Sequence, residues 1–344
     1  MTLNFPHFFA VALFREDGTT LGTVPVHRDW EPAHEWTRFH HQRRGELSLE
    51  ENGVASVLPL WEHTLGEPYC RGYRIRIAQP GQRPVQSDFP STQFREFASA
   101  VASVFVEDKK LREGERYTYV VVAHPAPPEA PKSGGLSVSN ASPCVPVQAA
   151  SLQDYLARAT PIGIVDCEDM PVFVARQVLA EVEERTHAEE GIETGGVLIG
   201  MLWRDEGVGD IFGEVTAQIP AEHTSGSNVK LTFTPQTWAA ADSALRLRNR
   251  GEIYLGYWHS HPVRAWCKSK ACTPEQQRAC HLAKDFFSAD DEAVMRAAFP
   301  RAYSIAIVAN DTAFTDLTFS MFGNREGITQ PRGFYVLEGS TSGT

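Results

Sequence analysis

Residues 254–262 read YLGYWHSHP, an apolar run that ends in two histidines and a proline. With Ile253 ahead of it, the run is rich in β-branched, aliphatic and aromatic residues and is stopped by Pro262. That pattern predicts a buried strand. Side chains two residues apart on a strand share a face. His259 and His261 therefore project together, while Ser260 points the other way. Two imidazoles on one face can fill two corners of a metal polyhedron. The alternative is a pair of ordinary polar side chains where a strand leaves the core, and the pair alone does not decide between the two.

The chain has 344 residues, 42% hydrophobic and 22% charged, which fits two globular domains. Lys and Arg number 32 against 43 Asp and Glu, a net of −11. No basic run offsets that charge, which argues against nucleic-acid and anionic-membrane partners. Residues 1–123 hold 14 basic and 16 acidic side chains, whereas residues 151–344 hold 17 and 26, a net of −9. The C-terminal part should favour a basic partner through long-range steering. No stretch has the apolar length of a membrane span. Phe8–Phe14, FFAVALF, lacks a basic flank and a small-residue cleavage site and is expected to be a first strand rather than a signal peptide. The six cysteines, Cys70, Cys144, Cys167, Cys267, Cys272 and Cys280, are too few for a disulfide scaffold, so reduced thiols in a cytoplasmic protein are expected.

Periodicity disappears in HPAPPEAPKSGGLSVSNASPCVPVQ, residues 124–148, and residues 124–150 are expected to be a linker between domains 1–123 and 151–344. In the first domain, Phe8–Phe14, Leu21–Val26, Val54–Leu60, Tyr73–Ala78 and Tyr117–Ala123 read as strands. Trp30–His41 and Thr92–Phe105 read as helices, which makes a small α+β domain. Its one polar cluster, FHHQRRGE at 39–46, reads as a solvated helix end rather than a His40–His41 ligand pair. With no chemistry of its own, this domain is assigned protein recognition by elimination.

In the second domain a strand begins at Pro171–Arg176 and a helix covers Gln177–Arg185. Strands are expected at 193–203, Glu214–Ile219 and Lys230–Phe233. Thr234-Pro235 opens a helix through Arg250, with threonine as N-cap and proline at the first helical position. After the histidine strand come a helix at 288–299 and strands at 303–310, Asp316–Phe322 and Phe334–Leu337. This is a second α+β domain.

Asp291 is a candidate third ligand, since a catalytic zinc usually has three protein ligands and an open position. Ser288 and Asp291 also fit a helix capping box, and helix physics alone prefers that reading. Taken in order, Glu193 ahead of GGVLIG, then HSHP at 259–262, then SADD at 288–291 resemble the JAB/MPN (JAMM) zinc isopeptidase family. The flanks ETGGVLIG, LTFTP, EIYLGYWHSHP and YSIAIVAN are similar to its bacterial branch, and the likeness covers about residues 165–337. The resemblance implies a JAB/MPN-like (cytidine-deaminase-like) mixed sheet with flanking helices. It implies His259, His261 and Asp291 as ligands of one catalytic Zn2+, Glu193 as general base and Ser288 as hydrogen-bond donor to an oxyanion. Residue chemistry does not by itself choose Glu193 over Glu189 or Glu190.

The sequence departs from the family between His261 and Ser288, where 26 residues stand against a usual seven. The insertion, residues 263–287, carries Cys267, Cys272 and Cys280 with His281. Thr273-Pro274 is expected to start a short helix with Gln276 completing a capping box. Endosomal relatives hold a structural zinc at a similar place, so a second structural zinc on Cys267, Cys272, Cys280 and His281 is one reading. Reduced buried thiols and a redox-sensitive pair are the others.

The activity implied is zinc-dependent hydrolysis after the C-terminal glycine of a ubiquitin-like protein, in precursor maturation or in release from lysine. The expected partners are that protein, its conjugates, and activating or conjugating enzymes of the same pathway. Processing of a sulfur-carrier protein is the alternative within the enzyme class. A non-catalytic MPN scaffold and a DNA-associated regulator are the alternatives outside it, the last disfavoured by the acidic charge.

Overall fold

The structure, a computed structural model, describes residues 3–49, 53–127, 144–189, 191–221, 233–266, 273, 275–276, 286–311 and 317–338. The chain divides into two compact units, Met1–Val145 and Pro146–Thr344. Both mix strands and helices, and among the described residues no helix is long and apolar enough to cross a membrane.

The first unit contains β1 (Leu3–Asn4), β2 (His7–Arg15), β3 (Thr20–Pro25), α1 (Glu31–Arg43), β4 (Val54–Trp61), β5 (Tyr69–Ala78), β6 (Val85–Pro90), α2 (Arg95–Glu107) and β7 (Tyr117–Pro125). The sheet runs β1-β4-β5-β7-β2-β3, with β6 also on β5. Alternation on β5 sorts its faces: Tyr73, Ile75 and Ile77 are buried in the core with Phe9, Phe89 and Phe94, while Arg74 and Arg76 face outward. The helix end at His40–His41 is not solvated, contrary to the sequence expectation. His41 is buried, pairs with Glu46, and its Nε2 lies 3.2 Å from both the Gln86 carbonyl and Ser87 Oγ. Contacts with β6, distant in sequence, bury it. A local reading of a charged helix terminus cannot supply them.

The second unit contains β8 (Gln148–Ala149), α3 (Leu152–Leu156), β9 (Ala159–Ile162), β10 (Val172–Ala175), α4 (Arg176–Ala188), β11 (Gly195–Arg204), β12 (Ile211–Pro220), α5 (Pro235–Arg248), β13 (Ile253–His261), α6 (Val263–Trp266), α7 (Ala289–Ala298), β14 (Ile305–Asn310), β15 (Thr318–Arg325), β16 (Ile328–Arg332) and β17 (Phe334–Leu337). Its mixed sheet runs β16-β15-β14-β13-β11-β12-β10-β17-β9, with β8 beside the end of β11. The histidine strand β13 sits in the middle, antiparallel to β11 and parallel to β14. Being flanked on both edges explains why its last seven residues are all buried. Ala241 of α5 and Met295 of α7 join Val197, Tyr257, Val308 and Phe322 in one core cluster, and α4 buries Val178, Leu179 and Val182.

Several boundaries differ from the sequence reading. β7 runs on to Pro125, and Gln148–Ala149 pairs with Trp203–Arg204, so both ends of the expected linker belong to sheets. α3 and β9 precede residue 165, where the family resemblance begins. Ser151 caps α3, and the Leu152 amide donates to Asp205 Oδ2 at 2.7 Å. The helix expected through Arg250 stops at Arg248, because Asn249 takes a left-handed conformation (φ 46°) and its amide closes onto Leu245. Most of the expected Lys230–Phe233 strand lies outside the described residues, as does Asp316, and Phe233 itself is not in a strand.

Candidate metal centre

β13 delivers the two histidines as strand alternation requires. His259 and His261 are 0% and 2% exposed, and their Nε2 atoms are 3.1 Å apart. Ser260 points to the other side. Its Oγ accepts from the Thr194 amide at 3.0 Å, and its own amide donates to the Thr194 carbonyl at 2.7 Å. This tie and the Gly195↔His259 register pin the entry to β11 beside the histidines. Glu193 stands at that entry.

Asp291 arrives on the first turn of α7. The capping box is present: its amide donates to Ser288 Oγ at 3.1 Å and its Oδ2 accepts from the Ser288 amide at 2.7 Å. The other oxygen, Oδ1, lies 3.4 Å from His259 Nε2. The two readings of Asp291 are therefore compatible, one oxygen serving each. One atom each from His259, His261 and Asp291 falls within 4.8 Å of the others, so these residues could hold a metal. The donor set fits zinc. Bonds of about 2.0–2.2 Å in a tetrahedron separate ligand atoms by roughly 3.3–3.6 Å, close to the 3.1 and 3.4 Å observed.

Electrostatics prepare the same chemistry. Burial lowers the pKa of His259 against the pull of Asp291. His261 falls to about 4 through burial and the neighbouring His259, opposed by Asp291 and a hydrogen bond with Asn310. Both rings are held neutral, the form that ligates. Glu193 is half-buried, and its pKa is raised to about 7 by burial and then by Asp291 and Asp290. A carboxyl poised near neutrality can take or give a proton at physiological pH.

An aromatic frame surrounds the two histidines. Tyr257 shares the histidine face, stacks on His259 at 5.5 Å, and donates its hydroxyl to the Asp291 carbonyl at 3.1 Å. Phe286 stacks on His261 at 4.2 Å, and the Trp266 ring lies 5.3 Å from it. Tyr257 was legible by the same two-residue alternation that paired the histidines. Phe286 and Trp266 lie at the ends of the insertion, and no local spacing points them at His261.

Residues 175–265 match the family model for prokaryotic homologs of the JAB domain. That segment of the C-terminal unit is JAB-like. The JAB match contains Glu193, His259 and His261 and ends before Ser288 and Asp291, which the fold brings to the same place. JAB domains include metalloproteases and also non-catalytic members. Among curated proteins no match was found. Among solved structures, a protein from Desulfitobacterium hafniense, known from its solution structure, is similar at 18% identity and a TM-score of 0.35. The match covers 49% of this chain and 95% of that one.

In the insertion, Cys267, Cys272, Cys280 and His281 lie outside the described residues. The Thr273–Gln276 box does form, with the Thr273 amide on Gln276 Oε1 at 2.9 Å and the Gln276 amide on Thr273 Oγ1 at 3.3 Å.

Proposed function

We propose that the C-terminal unit is a zinc-dependent isopeptidase that cleaves after the C-terminal glycine of a ubiquitin-like protein. The observation that carries this reading is the convergence of His259, His261 and Asp291 beside a carboxyl, Glu193, with a pKa near 7. A bound zinc would supply Lewis acidity toward water and the scissile carbonyl. Glu193 then holds the proton taken from the nucleophile on its carboxylate and passes it to the leaving amine. Ser288 Oγ accepts from the Asp291 amide, which leaves the hydroxyl proton free to donate to a developing oxyanion. The net of −9 over residues 151–344 supports a basic, extended tail ending in glycine as substrate. The N-terminal unit would then recognise the modifier or its target, in a cytoplasmic pathway with its own activating and conjugating enzymes.

The test is zinc content and hydrolysis of a Gly-Gly isopeptide to lysine, for wild type and Glu193→Gln. Wild type is expected to hold zinc and cleave. The variant should keep zinc and lose roughly 10²-fold or more in turnover, the usual size of general acid–base catalysis. A zinc-loaded wild type that leaves every Gly-Gly substrate intact would favour the non-catalytic scaffold.

A further inference from the structure

The N-terminal unit carries a groove of about 890 Å³ on the outward face of β4, β5 and β6. This is near the upper end of the roughly 300–1,000 Å³ typical of ligand clefts. Three arginines line it, Arg74, Arg76 and Arg83, with Leu58, Pro84 and Val85 between them. Arg74 binds the Asp88 carboxylate in the two-pronged manner of its guanidinium, Nη2 to Oδ2 at 2.8 Å with Nε on Oδ1. Arg76 and Arg83 are exposed and make no ion pair among the described residues. The acidic lining residue Glu46 is already paired with His41. The groove is thus a positive concavity on a unit whose net charge is slightly negative.

We propose that this groove binds an extended acidic peptide segment, its alternate Asp or Glu side chains taken by the arginines. Arg74 and Arg76 are two residues apart on one strand, a spacing of about 6.4–6.8 Å, which is also the same-face repeat of an extended peptide. Planar guanidinium forks match carboxylates, and Arg74 already shows that mode with Asp88. Leu58, paired in register with Arg74, shares the face of these arginines and with Pro84 offers apolar surface to the intervening residues. Among the described lining residues the aromatic side chain is His41, and Glu46, Gln86 and Ser87 hold it, which disfavours base stacking. This inference stands on the N-terminal unit alone and is independent of any hydrolytic activity.

The experiment uses the full chain and fluorescence anisotropy of a labelled peptide alternating Glu and Thr, with its Gln counterpart as control. Wild type should give a saturable curve with the Glu peptide that weakens as salt rises, and little binding of the Gln peptide. Arg76→Gln with Arg83→Gln should weaken binding about tenfold or more. Both side chains are exposed, so the melting temperature should not move. Asp88→Asn frees Arg74 from its internal carboxylate and should tighten binding several-fold. Equal affinity of the double variant and wild type overturns the proposal, as does equal binding of the Gln peptide or no saturation in the millimolar range. A single-stranded oligonucleotide that binds more tightly than the peptide, and loses that binding in the double variant, would make the groove a nucleic-acid site and overturn it too.

Discussion

Replacing Glu193 by glutamine should stabilise the metal-free protein, and only above about pH 5. In the folded chain the carboxyl has a pKa near 7 against an ordinary 4.5, from burial and from Asp291 and Asp290. Folding therefore tightens proton binding at this group. Well below pH 4.5 the acid is neutral in both states and behaves like glutamine. As pH rises from 4.5 to 7, the unfolded chain releases this proton while burial and two neighbouring carboxylates resist the charge in the folded state, so stability falls across that interval and levels off above it. The interval corresponds to at most about 3.4 kcal/mol at 1.36 kcal/mol per pH decade. Partial exposure screens part of it, leaving roughly 1–2 kcal/mol. For a unit of this size that is a rise of about 2–8 °C in melting temperature. The assay is a set of melts in chelator at several pH values from 4.5 to 8, comparing wild type with Glu193→Gln. The two proteins should coincide at the acid end, separate progressively as pH rises from about 4.5 to 7, and run parallel above that. Asp290→Asn, which removes one cause of the shift, should lower the pH at which the separation levels off and reduce its size. A pH-independent difference, or a variant less stable than wild type at pH 8, would refute the electrostatic argument and assign Glu193 a packing role.

Asp291→Asn keeps an oxygen to accept from the Ser288 amide but loses the ligand charge, so elemental analysis should find about one zinc fewer per chain with little change in the melt of the chelated protein. Ser288→Ala should do the reverse, retaining zinc and losing about 1 kcal/mol of helix cap, measured by urea unfolding. At Gly256 an added Cβ would sit 1.7 Å from the Ile305 carbonyl oxygen. Gly256→Ala should therefore destabilise the unit by about 3 kcal/mol or more, and a melt like wild type would contradict the β13–β14 register. Residues 146–344 alone should cleave a short Gly-Gly peptide as the full chain does, whereas the full chain should show the lower KM on an intact ubiquitin-like substrate; steady-state kinetics of both proteins on both substrates decides it.

Much of the centre was legible because its rules are short-range. Alternation put His259 and His261 on one face, and Thr234-Pro235 marked the start of α5. The Ser288–Asp291 spacing foretold the cap, but helix physics presented cap and ligand as rivals. That each carboxylate oxygen takes one role emerges only when β13 and α7 are brought together. The illegible parts depend on distant pairing. β6 buries His41, β11 recruits Gln148–Ala149 from the linker, and Phe286 reaches His261 from the far end of the insertion. The groove arginines were visible as an alternating pair on β5, but their concavity is made with residues 82–86, which carry no apolar period to announce a strand.

The divided carboxylate of Asp291 has a consequence for how fast and how selectively the centre could be filled. A side chain clamped by its own helix cap has already given up its rotational freedom when the protein folds. An arriving ion then need not freeze it, which saves about 0.5–1.5 kcal/mol per immobilised side chain. The same rigidity acts as a ruler. Oδ1 cannot swing outward to accommodate a larger ion without breaking the bond from Oδ2 to the Ser288 amide. Calcium, which needs six or more oxygen ligands at about 2.3–2.6 Å, would have to break that cap bond to gain a second oxygen from Asp291.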